Sequence, residues 1–469
     1  MGIITDMTSL TVLETTKHVG QTVTVRGWIH SIRDMGKITF IDLRDSTGLL
    51  QVVVGGSITH ERLGVEYVVE VTGEIKERGE RFRNDKLATG MVELGAASVV
   101  VLNEAAELPF EVKKDTAGIN EELRLKYRYL DLRTERMAFN MRLRHRVIKF
   151  FRDYLDNEGF IEVETPMLNK GTPEGAREFL VPSRLHPEQF YVLPQSPQQF
   201  KQLLMVGGIG RYFQIARAFR DEDQRGDRQP EFTQLDLEMS FVTQEDILDL
   251  NEAMFIEMVK KITPDKHISV TPFPRLTYAQ SMKQYGSDKP DLRKNKEDPN
   301  ELAFAWIVDF PMFEKVPEGN GIGAMHHPFT SPKAEDMHLL DTKPLEVRAD
   351  SYDLVLNGYE ISSGSIRIHD SELQKRMFQV IGLSDDEIEA KFGHMIEAFK
   401  YGAPPHGGMA PGIDRLLMVL AGEANIREVM AFPKTGDGRD PLTGAPGVVA
   451  PAALADAHIK VVPEIKKKT

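Results

Sequence analysis

The sequence of 469 residues contains no cysteine, which excludes disulfide bonds, thiolate metal sites and a cysteine nucleophile. It also lacks a GxxxxGK[ST] loop and a GxGxxG turn between a strand and a helix, the two glycine-rich motifs that bind phosphates through backbone N–H groups. No stretch approaches the ~18 apolar residues of a membrane span, and the N-terminus has no basic segment followed by an apolar run. These absences predict a soluble, cytoplasmic protein that would hold any nucleotide with side chains.

Basic charge is also in deficit, because the net charge is −13 at pH 7. The composition therefore gives no global signal for binding a polyanion, which would need a local basic patch. A length of 469 residues predicts two or three domains with ample apolar surface for a core.

The first part of the chain is rich in short alternating or apolar runs separated by Gly, Asp and Ser turns. Five such runs predict strands: TVTVRGWIHSI, KITFIDLRD, GLLQVVVGG, EYVVEVTGEI and VELGAASVVVL. Five strands in about a hundred residues favour a small all-β barrel, for which the OB-fold is the leading candidate, although spacing does not separate it from other small barrels. We expect this domain at residues 1–108, followed by a polar linker or hinge at 109–137.

From residue 138 onward the pattern changes to helices mixed with strands. Apolar residues at helical spacing predict a helix that ends near Gly159, and FIEVETPML predicts a strand after it. Further helices are predicted at PQQFKQLLMVGG and at DRLLMVLAGE, the latter ending near Gly422, and further strands at RYFQIARAF, AFAWIVDFP, YDLVLNGYEI and SSGSIRIH. The strands do not alternate with helices as βαβ units do, so residues 138–469 are predicted to form an α+β domain whose antiparallel sheet is flanked by helices.

Two segments offer side chains that could hold a nucleotide. Arg220 lies in FRDEDQRGDRQPEFTQLDLEMSF, a stretch with three arginines and seven acids, and Arg415 lies in GIDRLL. A guanidinium grips phosphate oxygens with two hydrogen bonds and stays charged at any working pH. Carboxylates nearby can bind Mg²⁺ together with the phosphates of the substrate.

Three motifs, taken together, resemble the class II aminoacyl-tRNA synthetases. They are NEGFIEVETPML, the FRDE…EFTQLDLEMSF stretch and GGMAPGIDRLLMVLAG, and they occur in the family's order within residues 157–168, 219–241 and 407–422. SPQQFKQLLM, MHHPFTSP, YDLVLNGYE and APGIDRLLMVL are similar to the bacterial-type aspartyl-tRNA synthetases, from about Thr22 almost to the C-terminus.

The resemblance implies an ATP-dependent aspartate–tRNA ligase that forms aspartyl-adenylate and transfers the aspartate to the 3′ end of tRNA-Asp. The attacking carboxylate is already ionised near neutral pH, so the first step needs positioning and charge stabilisation rather than a base. The implied catalytic pair is Arg220 on the α-phosphate and Arg415 on the γ-phosphate. Phe232 would stack on adenine with Glu222 nearby, although either residue alone would more often be structural. The implied Mg²⁺ carboxylates are Asp353 and Glu360.

The resemblance also implies how aspartate is selected. Lys201 and Arg367 are expected to face the side-chain carboxylate, because a neutral asparagine amide would leave two cations unpaired. Asp236, Gln198 and Ser196 are expected to face the ammonium. Glu174 lies on a predicted mobile lid, and at least one residue of the His326–His327 pair is expected to line the pocket rather than bind a metal.

The predicted barrel would bind the anticodon, as OB-folds bind single strands through aromatic stacking in a basic groove. Arg33, Phe40 and Gln51 occupy the anticodon-binding positions of the family. The strand pattern leaves Phe40 open between core and surface. We also expect the basic loop at residues 76–86, KERGERFRNDK, to contact the RNA backbone.

The chain departs from the family at two places. The domain that bacterial relatives carry between the second and third motifs is absent near residues 293–304, and ISSGS at 361–365 replaces a glycine-rich stretch near Arg367. A homodimer joined through the first motif is expected. Two alternatives stay open: a relaxed enzyme that charges both tRNA-Asp and tRNA-Asn, and, more remotely, a catalytically dead RNA-binding paralogue.

Overall fold

A computed structural model describes residues 9–56, 58, 63–171, 176–316 and 321–462. Contacts divide the chain into two compact units: the residues up to Ile119 with Arg133–Ala138, and Asn120–Leu132 with the residues from Phe139 onward. Within the described ranges no helix has both the length and the apolar character to cross a membrane.

The first unit is a closed barrel of five strands with one short additional strand. The strands are β1 Ser9–Leu10, β2 Thr22–Asp34, β3 Ile38–Arg44, β4 Leu49–Gly55, β5 Val68–Glu77 and β6 Val92–Asn103. The order β2-β3-β4-β6-β5 closes through pairing of β5 with β2, and β1 pairs in parallel with β2. All five predicted strands are confirmed, and closure gives the expected OB-fold barrel. Alternate residues such as Val25, Ile41 and Val71 are fully buried in its core.

The second unit is built around an eight-stranded sheet with the order β13-β15-β18-β19-β20-β11-β10-β7. Its strands are β7 Ile161–Glu162, β10 Arg211–Phe219, β11 Glu231–Ser240, β13 Arg275–Thr277, β15 Phe304–Val308, β18 Ser351–Leu356, β19 Tyr359–Ile366 and β20 His406–Met409. Three two-stranded pairs lie outside it: β8 Leu180–Pro182 with β9 Phe190–Val192, β12 His267–Ile268 with β14 Glu301–Leu302, and β16 Phe313–Lys315 with β17 Ile322–Ala324. The six central strands of the main sheet are antiparallel, as predicted, and only the short edge strands β7 and β13 pair in parallel.

The structure confirms the three predicted helices and shows others that were not predicted. They are α1 Glu121–Lys126, α2 Arg128–Asp131, α3 Glu135–Asn157, α4 Gln198–Val206, α5 Gln244–Ile262, α6 Tyr278–Tyr285, α7 Ser371–Val380, α8 Asp385–Phe399, α9 Ile413–Ala421 and α10 Pro451–Asp456. Short 3-10 turns occur at Glu14–Lys17, Glu80–Phe82, Ala334–Leu339, Pro344–Glu346 and Ile426–Val429. Gly422 ends α9 in the left-handed conformation with φ 69°, which glycine adopts without a Cβ clash.

One apolar cluster joins the main sheet to helices α3, α5 and α9. Its members include Phe151, Phe255, Leu417, Leu237 and Trp306, each fully buried. Burying a side chain of this size typically contributes about 1.5–3 kcal/mol, so this face of the sheet is the principal core of the unit. The opposite face is left free to carry polar groups.

One strand prediction is confirmed only in part and another is wrong. FIEVETPML forms only the two-residue strand Ile161–Glu162, with Ile161 51% exposed, because this segment lies at the sheet edge rather than inside it. YDLVLNGYEI is a hairpin rather than one strand: Asn357 and Gly358 both have positive φ, 51° and 86°, and form the turn between β18 and β19. Asn-Gly is a strong hairpin signal that the sequence interpretation overlooked.

Candidate active site and candidate anticodon face

The open face of the sheet carries a cavity of about 530 Å³. The described site residues predicted for the catalytic domain all line it: Ser196, Gln198, Lys201, Arg220, Glu222, Phe232, Asp236, His326, Asp353, Glu360, Arg367 and Arg415. They come from α4, β11, β18, β19, α9 and adjoining loops. Glu174, predicted on a lid, lies outside the described residues. The volume falls in the range of ordinary small-molecule sites.

Strand β11 supplies the centre of the cavity because its side chains alternate between two faces. Leu235, Leu237 and Met239 are buried against the helices, as the alternation of apolar and polar residues in LDLEM indicates. Asp236 and Glu238 therefore point to the opposite face, where both are at most 1% exposed. Glu238 was missed by the sequence interpretation, although its place two residues after Asp236 was a sufficient signal.

Four buried charges form one cluster around Glu238. Lys201 Nζ lies 2.9 Å from Asp236 Oδ1 and 3.2 Å from Glu238 Oε2. Arg367 donates from Nε to Glu238 Oε1 at 3.0 Å and from Nη2 to Glu238 Oε2 at 3.3 Å. Two cations thus meet two carboxylates, and the cluster is formally neutral. The two predicted cations are not free, since Glu238 already engages both.

The two carboxylates of the cluster differ in their electrostatics. Burial pushes the pKa of Glu238 upward, but Arg367 and Lys201 outweigh burial and hold it at about 2. For Asp236 burial is the largest effect and raises the pKa, against the attraction of Lys201. Neither oxygen of Asp236 accepts a hydrogen bond of good geometry within the described structure. Asp236 is therefore an acceptor in need of donors, which an ammonium group would provide.

A directed chain of hydrogen bonds positions Gln198. Its Nε2 donates to Gln202 Oε1 at 3.2 Å, Gln202 Nε2 pairs with His406 Nε2 at 3.1 Å, and His406 Nδ1 pairs with Pro404 O at 2.7 Å. Because the carbonyl can only accept, the His406 proton sits on Nδ1, leaving Nε2 as the acceptor for Gln202. The chain requires a neutral His406, in line with burial lowering its pKa.

Both residues of the histidine pair line the cavity, and they differ in their partners. His326 lies with its ring centroid 4.5 Å from that of Phe310, and burial lowers its pKa. His327 Nδ1 accepts a hydrogen bond from the Phe329 N–H at 3.2 Å, which places the proton on Nε2, and Nε2 is buried without a partner in the described structure. Burial, followed by Arg367 and Lys201, holds the pKa of His327 well below its usual value. His327 thus offers a neutral N–H donor, which the sequence did not single out over His326.

The loop between β10 and β11 carries the predicted nucleotide-binding groups. The Arg220 guanidinium lies 5.1 Å from the centroid of the Phe232 ring, and its Nε donates to Gln195 O at 3.4 Å. Glu222 accepts a hydrogen bond from Arg228 at 3.2 Å. A cation and an aromatic face therefore stand side by side at one end of the cavity.

Arg415 is placed by the residue before it. Asp414 accepts a hydrogen bond from the Thr233 N–H at 2.7 Å and pairs with Arg144, which fastens the start of α9 to β11 and α3. Arg415 then donates to the Glu360 carbonyl and forms an ion pair with Asp227 at 3.1 Å. Asp414 and Asp227 were not identified from the sequence, because nothing local shows what they contact.

The residues present fit a divalent cation. Asp353 is 5% exposed, its Oδ1 has no partner within the described structure, and burial together with Glu360 raises its pKa well above the usual value. A second carboxylate nearby disfavours ionisation of a buried one unless a cation joins the two. The described residues contain no cluster of three or more His, Cys, Asp or Glu suited to a metal, so the remaining ligands would come from phosphates and water, as is usual for Mg²⁺.

The serine-containing stretch ISSGS fits in strand β19. A Cβ is forbidden only at Gly364, where it would lie 2.4 Å from Gly408 O and 2.5 Å from Tyr352 Cε2. Ser363 lies directly opposite Asp353 on the neighbouring strand and acts to lower the pKa of Asp353, whereas Ser362 Oγ is buried without a partner in the described structure. The one glycine that the close approach requires is retained, and Arg367 reaches Glu238 despite the two serines.

In the first unit the three predicted anticodon residues meet on the outer surface of the barrel. Arg33 lies 5.8 Å from the Phe40 ring centroid and donates to Gln51 Oε1 at 3.4 Å. Phe40 is half-buried while its neighbour Ile41 is fully buried, so the core lies on the other side of the strand. Gln51 donates to Glu93 at 2.9 Å. Glu93 was not identified from the sequence.

We expect the protein to lose stability as the pH falls below about 6.5. The pKa values of the partly buried His327 and the fully buried His406 are lowered, so the unfolded chain binds protons near pH 6.5 that the folded chain refuses. Each such histidine lowers the unfolding free energy by about 1.4 kcal/mol per pH unit in that range. Urea unfolding at pH 7.5, 6.5 and 5.5 measures this slope.

Two variants test whether His406 contributes to this pH dependence of stability. His406→Asn keeps a donor for Pro404 O and should reduce the slope by about one proton, whereas His145→Asn, at an exposed position, should leave it unchanged. An identical slope in wild type and His406→Asn would contradict the assignment.

Comparisons with known proteins bear on both units. Residues 120–436 match the family described as tRNA synthetases class II (D, K and N), and residues 23–102 match the OB-fold nucleic acid binding domain. An aspartate–tRNA(Asp/Asn) ligase of Rubrobacter xylanophilus is 43% identical, with 95% of both chains covered, and an aspartate–tRNA ligase of Geobacillus kaustophilus is 40% identical, with 95% of this chain and 97% of the relative covered. The first alignment spans 572 positions against 469 residues here, so that relative contains a long stretch without a counterpart in this chain.

Solved structures share the fold at lower identity. An asparaginyl-tRNA synthetase of Pyrococcus horikoshii in complex with asparaginyl-adenylate has a TM-score of 0.73 at 22% identity, covering 91% of this chain and 98% of that one. An aspartyl-tRNA synthetase of Entamoeba histolytica has a TM-score of 0.71 at 24% identity, covering 92% of both chains. At such identities these matches support the fold alone.

Proposed function

The chain belongs to the class II tRNA synthetases of the D, K and N group, and on that premise we propose that it is an aspartate–tRNA ligase. It activates L-aspartate with ATP to aspartyl-adenylate and transfers the aspartate to the 3′ end of tRNA-Asp. Relatives at 38% and 40% identity over nearly the whole chain carry that name, and one at 43% is named aspartate–tRNA(Asp/Asn) ligase. The observation that carries the choice of amino acid is the buried cluster of Lys201, Arg367, Asp236 and Glu238.

The cluster has the charges that aspartate needs. Glu238 neutralises one of the two cations, so one positive charge remains for the substrate side chain, and Asp236 keeps one negative charge for the ammonium. Lys201 and Arg367 both retain N–H donors beyond those used on Glu238 and Asp236, and the His327 Nε2–H adds a neutral donor. Asparagine would leave the positive charge unpaired in a buried site, which is costly.

Adenylation then requires no protein base. The α-carboxylate of aspartate is already ionised, so the protein must orient it toward the α-phosphorus and stabilise the negative charge that develops on the phosphate. Arg220 supplies the positive charge that stabilises the phosphate, and the adenine stacks on Phe232 beside Glu222. Arg415, at the start of α9, binds the γ-phosphate after exchanging its contacts with Asp227 and Glu360 for the nucleotide. Mg²⁺, held by Asp353 and Glu360, would neutralise the phosphates and favour departure of pyrophosphate.

Aspartate-dependent exchange of pyrophosphate into ATP tests the proposal without tRNA. We expect exchange with L-aspartate and little with L-asparagine, since the site discriminates by charge. Folded protein without exchange would refute the enzyme assignment and leave the RNA-binding paralogue.

Charging of tRNA-Asp and tRNA-Asn in parallel decides the breadth of tRNA use. The Rubrobacter relative is named for both tRNAs, and the two anticodons differ at one base, so the difference would arise on the barrel near Arg33. We propose tRNA-Asp as the principal substrate. Equal charging of both transcripts would instead show a relaxed enzyme that uses tRNA-Asp and tRNA-Asn alike. No residue assigned to catalysis lies near 293–304, so we expect activity without the additional domain.

We further propose a cytoplasmic homodimer joined through the first motif. Apolar side chains in that motif and in the segment after it are exposed in the single chain: Ile161 51%, Leu168 53%, Leu180 61% and Phe190 47%. Exposed patches of this kind mark interaction surfaces. Analytical ultracentrifugation should show a dimer, and Leu180→Glu should shift it toward monomer. An active wild-type monomer would contradict the proposal.

A further inference from the structure

An exposed aromatic ring lies at the tip of the loop between β5 and β6. Phe82 is 75% exposed, and Arg81 and Arg83 flank it in the chain. Large apolar side chains are usually exposed singly and without consequence. A ring set between two arginines is different, because it combines the two groups that bind single-stranded nucleic acid, an aromatic face and phosphate-binding cations.

The loop is held in one shape by its own backbone. The Phe82 N–H donates to Gly79 O at 2.8 Å, the Asn84 N–H to Gly90 O at 3.1 Å, and the Gly90 N–H to Leu87 O at 2.9 Å. A Cβ at Gly90 would lie 1.8 Å from Asn84 O, so only glycine closes the loop this way. A preformed loop loses little conformational entropy when a ligand binds to it.

The basic side chains of the loop are free to bind phosphates. Arg81, Arg83 and Lys86 are exposed, and none of the three side chains forms an ion pair in the described part of the chain. Positive charge that is not neutralised within the protein can attract phosphates even in a chain of net charge −13.

The base of the loop adjoins the candidate anticodon face. Arg78, where the loop begins, lies 4.0 Å from Glu93. Glu93 in turn accepts a hydrogen bond from Gln51, and Gln51 accepts one from Arg33. The loop that carries the exposed ring therefore begins beside the residues expected to bind the anticodon.

We propose that Phe82 stacks on an unpaired base of the tRNA anticodon loop while Arg81 and Arg83 contact phosphates on either side of that base. The proposal rests on the proposed function and adds a recognition residue to it. One ring between two cations is far too small for a protein interface, whereas stacking on a single base needs no more than one ring face.

The test is the affinity for an unmodified tRNA-Asp transcript and for its isolated anticodon stem-loop. Phe82→Leu should weaken both about five- to a hundredfold, as expected for the loss of one stacked base, while Phe82→Trp should retain wild-type affinity. Arg81→Ala with Arg83→Ala should instead flatten the salt dependence, by about 0.7 in log–log slope for each phosphate that the protein no longer binds. Each unpaired base is replaced in turn by 2-aminopurine, whose fluorescence is quenched when it is stacked. At the position that stacks on Phe82, the complex with Phe82→Leu should be more fluorescent than the complexes with the wild type and Phe82→Trp.

Two controls keep the result specific. Val19→Ala removes another exposed apolar side chain of the same barrel and should not change affinity. Aspartate-dependent pyrophosphate exchange, which uses no tRNA, should be normal in every variant. Unchanged affinity in Phe82→Leu, or equal losses in Phe82→Leu and Phe82→Trp, would overturn the stacking proposal while normal exchange leaves the proposed function standing. Absence of exchange in the wild type would refute the function itself.

Discussion

Arg220→Ala should reduce aspartate-dependent pyrophosphate exchange by at least about 10²–10³-fold, the usual loss when one well-placed donor to a developing charge is removed. Arg220 lies at the end of β10, over the Phe232 ring and in the wall of the cavity. No other group on this side of Phe232 is proposed to neutralise the α-phosphate. The fall should appear mainly in kcat, because the interaction strengthens as negative charge builds on the phosphate.

The stability of this variant should hardly change. Arg220 is only partly buried, and substitutions outside the core usually shift the unfolding free energy by about 0.5 kcal/mol. Arg217→Ala is a matched control, since Arg217 lies on β10 three residues before Arg220 but pairs with Glu231 at 2.7 Å outside the cavity. Arg220→Lys should recover only part of the activity, because an ammonium lacks the two-pronged geometry. A large drop in melting temperature, or equal losses in the two alanine variants, would assign Arg220 a structural role.

Lys201→Met should weaken aspartate binding by roughly 30- to 5,000-fold, corresponding to about 2–5 kcal/mol for a buried charge pair. It should also lower the unfolding free energy by about 3–5 kcal/mol, because Asp236 and Glu238 lose a counter-ion in a buried site. Burial already raises the pKa of Asp236. Protonation of Asp236 at low pH should therefore reduce the loss of unfolding free energy. Exchange kinetics at varied aspartate concentration and urea unfolding at pH 6 and 8 measure the two effects.

A second variant separates binding from folding. Lys201→Met combined with Glu238→Gln removes one charge of each sign and keeps the site neutral, so stability should recover in part. Aspartate affinity should recover only in part, because Arg367 keeps one positive charge for the substrate side chain but the N–H donors of Lys201 are lost. A single variant that is destabilised yet binds aspartate normally would show that Lys201 serves only the fold.

The sequence predicted those features that depend on the pattern of side chains within a short segment. The alternation of β11 placed Leu235 and Leu237 in the core and Asp236 on the open face, and the glycine after DRLLMVLA ended α9 as predicted. The same kind of local information was available and overlooked at Asn357 and Gly358, where a turn interrupts the expected strand. FIEVETPML failed for a different reason: its pattern is that of a strand, but its place at the sheet edge gives it only two paired residues.

The sequence by itself determined the family, the two kinds of domain and most of the residues that line the cavity, because motif residues and side-chain periodicity are properties of short segments. Only the tertiary structure decided which charges meet. Glu238 and Arg367 are 129 residues apart in the chain, and Arg415 finds Asp227 across the unit. The energy of a buried ion depends on its neighbours in space and on its removal from water, so the shared charge balance that suits this site to aspartate exists only once the chain has folded.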